Sequence, residues 1–392
     1  MKVPIRVSGD ADGETNPGSR SCNRLDSFIA SSIDFVFSMS GYIERMAGKE
    51  AAQYPSLMVT QSREVRLARR PPGEPGLDCF TFATVNLPDP APGEVLVRNV
   101  YMSVDPYMRG RMNEGKSYVP QFEVGKPLEG GAVGRVIASH DERFPEGTLV
   151  LSMYGWREAF VAPVSRLRVI DATLAPPSAY LGILGATGLT AWVGLFSVAK
   201  LKDGETVFIS AGAGAVGSAA CQFAKIHGCR VIASASSEEK VAYLRSELKV
   251  DYAFNYREGD PRDHLRKAAP EGLHVYFDNT QGLQLEAALY QLVAYGRIAM
   301  CGGIAGYNAP VPGPRNLMQV VRNRLRLEGY IVSDHFEALP GFLAEAVPAL
   351  SSGKLVNRET IVDGLDSAPA ALLDLLHSGA ANIGKMVVRL SG

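Results

Sequence analysis

The sequence has few of the residues that build metal centres and disulfide frameworks. Its 392 residues include only five cysteines and six histidines. The cysteines show neither zinc-ligand spacing nor a paired disulfide pattern, and the histidines are equally scattered; the cysteines are Cys22, Cys79, Cys221, Cys229 and Cys301. No metal site is therefore indicated, and the odd cysteine count favours a reducing, cytoplasmic location.

The chain also lacks an excess of charge of either sign. Its formal net charge of −1 argues against nucleic acid or an anionic membrane as a partner. Residues 172–199 contain no charged side chain, but Pro176 and Pro177 interrupt the start of this stretch and four glycines dilute the rest. We therefore predict a buried helix against a sheet rather than a membrane span.

The first 57 residues differ in character from the rest of the chain. Residues 9–21 are polar and rich in turn formers, which is typical of disorder. Residues 28–43 are apolar but interrupted by Asp34, and they lack the basic flank and cleavage site of a signal peptide. A regular strand–turn pattern begins only at Met58. We expect residues 1–57 to be a disordered extension that is dispensable for chemistry, with Met58 as a second possible start.

Two kinds of periodicity follow this extension. Residues 58–178 alternate short β runs with turns, which predicts a mainly β domain with an irregular barrel. Residues 179–347 alternate strands with helices, which predicts a doubly wound parallel sheet. The tail, residues 348–392, returns to a helix and a last strand at 386–390 and is predicted to rejoin the β domain. The strands predicted for the parallel sheet are 207–210, 230–234, 252–255, 275–278, 297–301 and 327–332.

A glycine loop follows the first of these strands. Gly212, Gly214 and Gly217 fit the pattern G-x-G-x-x-G, with an apolar segment after them at 218–226 that can form a helix. Such glycines permit a tight turn, close approach of a pyrophosphate and tight helix–strand packing. The amides at the helix start then face the anion. This context favours a dinucleotide-binding loop over a purely structural glycine turn.

The end of the second strand distinguishes the two nicotinamide cofactors. An Asp or Glu there would accept hydrogen bonds from the ribose hydroxyls of NAD and would repel a 2′-phosphate. This chain instead has S-A-S-S at 234–237. Lys240 follows within the next helical turn and can reach a phosphate, although a lysine there also fits a solvated helix face. The two features together predict NADPH.

Five further motifs, in order along the chain, carry a family resemblance. They are S-V-D-P-Y-M-R-G-R-M at 103–112, G-A-T-G-L-T-A-W at 185–192, Y-F-D-N at 276–279, C-G-G-I-A-G-Y-N at 301–308 and N-I-G-K at 382–385. From about Met58 onward the chain resembles the zinc-independent medium-chain dehydrogenase/reductase family. Within it, the chain is similar to leukotriene/prostaglandin reductases, plant alkenal double-bond reductases and, through G-K-S-Y-V-P at 115–120, bacterial curcumin reductases. The resemblance implies an α/β Rossmann domain, a mainly β GroES-like domain and a homodimer.

The same resemblance implies which residues bind NADPH. The glycine loop would hold the pyrophosphate, Lys240 and Tyr256 would contact the 2′-phosphate side, and 301–307 would line the nicotinamide half. Asn279 could instead cap the next helix, and Tyr256 could be only a half-buried aromatic at a strand end. The predicted cofactor-binding residues are Gly214, Ala215, Val216, Gly217, Lys240, Tyr256, Asn279, Cys301, Gly302, Gly303, Ile304, Tyr307, Tyr330, Ile331, Val332 and Asn382.

Two departures from related sequences bear on the chemistry. The Gly-His-Glu motif of zinc alcohol dehydrogenases is replaced by E-G-G at 129–131, so an alcohol or aldehyde substrate that needs a Lewis acid is disfavoured. Relatives often have Gly-Met-Thr-Gly where this chain has G-A-T-G at 185–188. Because Ala186 is smaller than methionine, the size of substrate that those relatives accept does not predict the size that this chain accepts.

The leading functional hypothesis is NADPH-dependent reduction of the activated carbon–carbon double bond of an α,β-unsaturated ketone or aldehyde. Hydride addition to the β-carbon leaves an enolate oxygen that a hydrogen-bond donor stabilises. Tyr307 and Tyr107 are the predicted catalytic residues, with Tyr107 shaping the opposite wall of the site. Tyr307 could also donate the proton to the α-carbon, or it could be an aromatic lid that only packs on the nicotinamide.

Other readings remain open from the sequence. One alternative is an NADPH:quinone oxidoreductase, because a quinone accepts hydride with as little help from the protein as an enone does. Another is a cofactor-binding scaffold or sensor without turnover, which would keep the same glycine loop. Arg109, Arg111 and Lys116 could attract an acidic substrate or could form a solvated basic face.

Overall fold

The structure is a computed structural model that describes residues 60–377 and 381–390. The predicted extension at 1–57 and the proposed start at Met58 lie outside these residues. The strands are β1 (Thr60–Leu67), β2 (Phe80–Leu87), β3 (Glu94–Ser103), β4 (Ala132–Ser139), β5 (Leu149–Ser152), β6 (Ala159–Pro163), β7 (Arg168–Val169), β8 (Thr206–Ile209), β9 (Arg230–Ala235), β10 (Tyr252–Asn255), β11 (Leu273–Asp278), β12 (Leu292–Met300), β13 (Arg326–Gly329), β14 (Glu359–Asp363) and β15 (Lys385–Arg389). The α-helices of the described residues are α1 (Met108–Arg111), α2 (Ala186–Trp192), α3 (Ala215–Ile226), α4 (Glu238–Ser246), α5 (Pro261–Ala268), α6 (Gly282–Gln291), α7 (Met318–Asn323), α8 (Leu339–Ser351) and α9 (Ala368–Leu376).

Six strands form a parallel sheet in the order β10-β9-β8-β11-β12-β13. The chain builds outward from β8 to β10 and then returns to the other side of β8 with β11. This return makes a switch point between β8 and β11, where the loops after the two strands diverge and leave a crevice. The predicted doubly wound sheet is confirmed, and the switch point directs attention to the loops after β8 and β11.

Two strands of this sheet differ from the predicted limits by more than two residues at one end. β12 begins at Leu292 rather than at 297, because α6 runs directly into it without the turn residues that usually mark a boundary. β13 ends at Gly329 rather than at 332. There the chain turns, with the Asp334 amide donating to the Ile331 carbonyl at 3.0 Å, and a 3₁₀ helix, Val332–Ala338, follows.

A second, mostly antiparallel sheet has seven strands. Its order is β14-β15-β3-β4-β5-β7, and β6 also pairs with β3; only β14 and β15 are parallel to each other. β1 and β2 form a separate antiparallel pair. The tail therefore adds two strands beside β3. The sequence analysis identified β15 but not β14, whose half-exposed residues give a weak hydrophobic pattern.

The uncharged stretch at 172–199 forms the predicted buried helix. α2 continues directly into a π-helix, Val193–Val198. Leu189, Val193 and Leu195 are buried in the core that packs on the parallel sheet. Among residues 60–377 and 381–390, no helix is both long enough and apolar enough to cross a membrane.

Candidate functional site: a dinucleotide cleft with three tyrosines

The three glycines of the loop after β8 have different surroundings. A Cβ atom on Gly212 would lie 2.8 Å from the Cβ of Ala233 in β9, and one on Gly217 would lie 2.8 Å from the Ala211 carbonyl carbon. A Cβ on Gly214 would meet only the Ala211 oxygen, at 3.4 Å. Gly212 and Gly217 are thus required by packing, whereas Gly214 leaves open space. This space fits close approach of a pyrophosphate to the backbone.

The open space lies at the start of α3. Gly214 is the N-cap residue of this helix, and no described side chain caps it. The amides of Ala215, Val216 and Gly217 have no carbonyl partner within the helix because they belong to its first turn. Together with the positive end of the helix dipole, they form the type of site that binds phosphate groups.

Two cations meet beyond the end of β9. Lys240 is only 9% exposed, which rules out the alternative of a solvated helix face. Burial lowers the pKa of Lys240, and the nearby positive charge of Arg257 lowers it further. Half-buried Tyr256 adjoins Arg257, whose guanidinium lies 5.9 Å from the Tyr256 ring centroid. The positive charges of Lys240 and Arg257 make this the predicted place for the 2′-phosphate of NADPH.

Asn279 lies at the switch point and does not cap α6. Its side-chain amide donates to the Ser210 carbonyl at 2.8 Å, and its backbone amide donates to the Ser210 hydroxyl oxygen at 2.9 Å. The amides of Thr280 and Gln281, which precede α6, donate instead to Asp278 Oδ1. Asn279 therefore ties the end of β8 to the loop after β11.

The predicted nicotinamide loop packs directly against this turn. The amides of Cys301 and Gly302 donate to the Asp278 carbonyl at 2.9 and 3.1 Å, and the amide of Ile304 donates to the Asn279 carbonyl at 3.3 Å. A side chain on Gly303 would strike Gln281. The loop from Cys301 to Ile304 is thus held over the switch point by its own backbone.

Tyr330 directs its side chain into the protein. Its hydroxyl donates to the Thr190 carbonyl at 2.8 Å and lies against Gly194. Burial raises the pKa of this phenol well above its usual range. The side chain therefore anchors α2, and the expected backbone contacts of Tyr330, Ile331 and Val332 with the carboxamide stay a prediction.

The two predicted catalytic tyrosines pack against the same apolar cluster, which includes Met108 and Phe122 of the β domain. The Tyr307 hydroxyl would lie 3.8 Å from a Cβ on Gly302, which places it at the predicted nicotinamide loop. Burial raises the pKa of Tyr307 to about 12. Burial also raises the pKa of Tyr107. Both phenols therefore keep their protons at neutral pH and can donate hydrogen bonds.

Tyr118 joins this group, although the sequence analysis did not select it. Its side chain is 65% exposed, and it lies near enough to Tyr107 and Tyr307 that its ionised form would raise the pKa of both. Three phenols thus lie near one another beside the loop at 301–307. Tyr118 lies within G-K-S-Y-V-P at 115–120, so the motif that indicated the subgroup also contained the signal for this residue.

Arg109 and Arg111 correct an earlier expectation. Each is 4% exposed, so neither belongs to a solvated basic face. Arg109 donates to the Gly73 carbonyl at 2.6 Å, and Arg111 donates to Glu129 Oε2 at 2.8 Å while lying 4.1 Å from the Phe122 ring centroid. Their charges stabilise the loops around the cleft from inside, and only Lys116 is exposed.

The C-terminal segment reaches the glycine loop from the other sheet. The Gly384 amide donates to the Ala213 carbonyl at 2.8 Å. Buried Asn382 donates from its side chain to the Gly384 carbonyl at 3.3 Å. The predicted cofactor residue Asn382 therefore lies beside the predicted pyrophosphate loop, and its contact with the cofactor stays a prediction.

These features define a nicotinamide-dependent reductase, and the chain belongs to the medium-chain dehydrogenase/reductase family. Residues 63–170 match the family described as the N-terminal domain of oxidoreductase, and residues 215–347 match the one described as zinc-binding dehydrogenase. Among the residues that the structure describes, no cluster of three or more His, Cys, Asp or Glu side chains could hold a metal ion.

Individual relatives agree with the family and fold predicted from the sequence. The putative NADP-dependent oxidoreductase YfmJ of Bacillus subtilis is 42% identical over 85% of this chain and 99% of its own length. The NADP(+)-dependent 2-alkenal reductase of Nicotiana tabacum is 44% identical over 76% of this chain and 88% of its own length. The crystal structure of CurA from Vibrio vulnificus in complex with NADPH is 36% identical, with a TM-score of 0.79 over 84% of this chain and 99% of that one.

Proposed function

We propose that this protein uses NADPH to reduce the activated carbon–carbon double bond of α,β-unsaturated ketones and aldehydes. The observation that carries the proposal is the protonated Tyr307 hydroxyl at the nicotinamide loop, next to Gly302. Relatives of this chain include an NADP(+)-dependent 2-alkenal reductase and a curcumin reductase, which supports the same reaction class.

The chain's own residues divide the binding of NADPH among three places. The glycine loop and the first amides of α3 hold the pyrophosphate, and Lys240, Tyr256 and Arg257 hold the 2′-phosphate. Asn279 and the loop at 301–304 would hold the nicotinamide half, and Asn382 would bind the cofactor beside the glycine loop. When bound, NADPH supplies the hydride. The absence of a carboxylate at the end of β9, where Ser234 and Ala235 are buried, removes the group that would favour NAD.

Tyr307 acts as a hydrogen-bond donor to the substrate oxygen, where negative charge develops as the β-carbon accepts hydride. A catalytic acid works best with a pKa near the working pH. Burial raises the pKa of Tyr307 to about 12, so the phenol keeps its hydrogen available for donation. The α-carbon takes its proton from solvent water, either directly or through the Tyr307 hydroxyl. Tyr107 forms the facing wall, and the exposed Ala186 at the start of α2 leaves the substrate site wider than a methionine would.

A cofactor and substrate panel tests this function. NADPH and NADH oxidation would be followed with a linear enone, a simple benzoquinone and the saturated aldehyde of the same length. We expect fast NADPH oxidation with the enone and little with the saturated aldehyde. Faster turnover of the benzoquinone would identify a quinone oxidoreductase, and tight NADPH binding without any oxidation would identify a scaffold or sensor.

We further propose a homodimer that forms along the edge strand β13. The three large apolar side chains of the preceding segment, Leu317, Met318 and Val321, are exposed, and a patch of this kind usually marks an interface. Light scattering should give a dimer for the wild type and a monomer for Val321→Glu. Leu283→Glu, an equally exposed position on α6, is the control and should stay dimeric. A wild-type monomer would contradict this assembly.

We propose a division of the chain into a substrate domain (58–178 and 348–392) and a cofactor domain (179–347).

We also propose a cytoplasmic location. The four cysteines within the described residues, Cys79, Cys221, Cys229 and Cys301, are all free, as a reducing compartment requires. Cell fractionation tests the location, and recovery of the protein in a secreted or membrane fraction would contradict it.

A further inference from the structure

Lys385 is a charged side chain held almost entirely out of water. It begins β15 and is 3% exposed. Its Nζ lies 3.0 Å from Asp105 Oδ1, 2.8 Å from the Val104 carbonyl oxygen and 2.9 Å from the Met386 carbonyl oxygen. An ammonium group has three N–H donors, so each has an acceptor here. A buried ion pair stabilises a fold little more than apolar side chains of the same volume would. Its main effect here is to fix the relative positions of the two segments that it joins.

The partner, Asp105, lies two residues before Tyr107. Its second carboxylate oxygen accepts a hydrogen bond from the Ser103 hydroxyl, and its backbone carbonyl accepts from the Met108 amide at 3.1 Å. After burial, the negative charge of Asp105 is the largest cause of the raised pKa of Tyr107, so this carboxylate lies close to the phenol. Lys385 thus holds the turn that presents Tyr107.

The residue before Lys385 contacts the glycine loop. Gly384 donates its amide to the Ala213 carbonyl at 2.8 Å and pairs with Gly214 in a short parallel bridge. Its φ of 71° and the Arg358 carbonyl carbon, 2.6 Å from where a Cβ would lie, leave no room for another residue. Gly384 therefore contacts the glycine loop, and the next residue, Lys385, contacts the turn that presents Tyr107.

We propose that Lys385 and Asp105 are a positioning pair that couples the occupied glycine loop to the placement of Tyr107. This inference rests on the proposed function, in which Tyr107 forms one wall of the substrate site. Neither side chain of the pair touches the reacting atoms. Their loss should lower kcat for the enone and leave the affinity for NADPH nearly unchanged.

Kinetics of four variants test the pair. Lys385→Met removes the charge at similar length, and we expect kcat to fall about tenfold or more, because small misplacements of a site group are costly. Asp105→Asn should also lower kcat, and Lys385→Arg should recover part of the rate. Arg389→Met is the matched control, since it breaks the exposed Arg389–Asp363 ion pair at the other end of β15 and should leave kcat unchanged.

A double-mutant comparison separates positioning from general damage. Tyr107→Ala removes the whole wall, so if the pair acts through Tyr107, Lys385→Met should cost much less in a Tyr107→Ala background than in the wild type. A purely structural defect would cost the same factor in both backgrounds. Unchanged kcat in Lys385→Met, or an equal loss in both backgrounds, would overturn the proposal.

Hydrogen exchange gives a readout that needs no turnover. NADPH should slow amide exchange in the wild type both at 212–218 and at 103–112. In Asp105→Asn, protection should persist at 212–218 and be lost at 103–112. Because asparagine keeps the shape of the aspartate side chain, this variant serves even if Lys385→Met does not fold. Retained protection at both segments would contradict the coupling. If the wild type binds NADPH but reduces no enone, the proposed function fails, whereas this exchange comparison still decides the coupling.

Discussion

A Cβ atom on Gly217 would lie 2.8 Å from the carbonyl carbon of Ala211, and closer still to its oxygen. Gly217→Ala should therefore strain the contact between α3 and the glycine loop. We expect a loss of about 1–3 kcal/mol in the free energy of unfolding, typical of overpacking. A thermal melt would record this as a drop of several degrees.

Gly214→Ala is the matched variant at the same loop. The backbone of Gly214, with φ −80° and ψ 174°, suits alanine, and the added methyl meets no side chain. The melting temperature should stay near the wild-type value, whereas the Kd for NADPH should rise about tenfold, or about 1.4 kcal/mol. Unchanged NADPH binding would show that the pyrophosphate does not lie over Gly214.

Lys240→Ala should change the choice between the two nicotinamide cofactors. A hydrogen bond between charged groups contributes about 1.5–3 kcal/mol, so the Kd for NADPH should rise roughly tenfold to a hundredfold. The Kd for NADH should hardly change, because NADH has no 2′-phosphate. Titration of both cofactors by fluorescence measures this directly.

The control for Lys240 is Lys225→Ala, which removes a partly exposed lysine paired with Asp251 at 3.0 Å. This variant should bind both cofactors like the wild type. Equal weakening of NADPH and NADH by Lys240→Ala would mean that the lysine supports the fold rather than the phosphate.

Tyr307→Phe tests the hydrogen-bond donor. Removal of one donor to a developing oxyanion typically costs about a hundredfold in kcat. We expect a loss of this order with the enone, and little change in the Kd for NADPH. Tyr295→Phe, at a highly exposed position in β12, should be neutral. Wild-type turnover in Tyr307→Phe would leave this residue as a lid without a chemical role.

His227 predicts how stability depends on pH. Its Nδ1 lies 2.8 Å from Asp203 and its Nε2 lies 3.1 Å from Glu345. Burial lowers the pKa of His227, but the hydrogen bonds and charges of the two carboxylates outweigh burial and raise the pKa. The stabilisation is therefore complete below the unfolded pKa of about 6.5 and is lost as pH rises through the higher folded value.

Denaturant melts of the wild type and His227→Gln, compared at several pH values, measure this effect. The difference in unfolding free energy should be largest at pH values below about 6 and should shrink as the pH rises. A difference that stays constant with pH would mean that His227 contributes through packing against Phe196 alone.

The glycine loop and the strand–helix alternation were sufficient to predict the parallel sheet, because both signals are local. The environment of Lys240 was not predictable, since its burial depends on how α4 packs beside Arg257. The same limit applies to Arg109 and Arg111, whose partners lie far away in sequence. Lys385 was part of a recognised motif, but only the fold shows that it reaches Asp105.

The fate of a deuteride tests the central claim most directly. An α,β-unsaturated ketone would be reduced with NADPH carrying deuterium at the transferable position, in ordinary water, and the product examined by NMR. The account predicts a saturated ketone with deuterium at the β-carbon and hydrogen from water at the α-carbon. An allylic alcohol with deuterium on the former carbonyl carbon would contradict it.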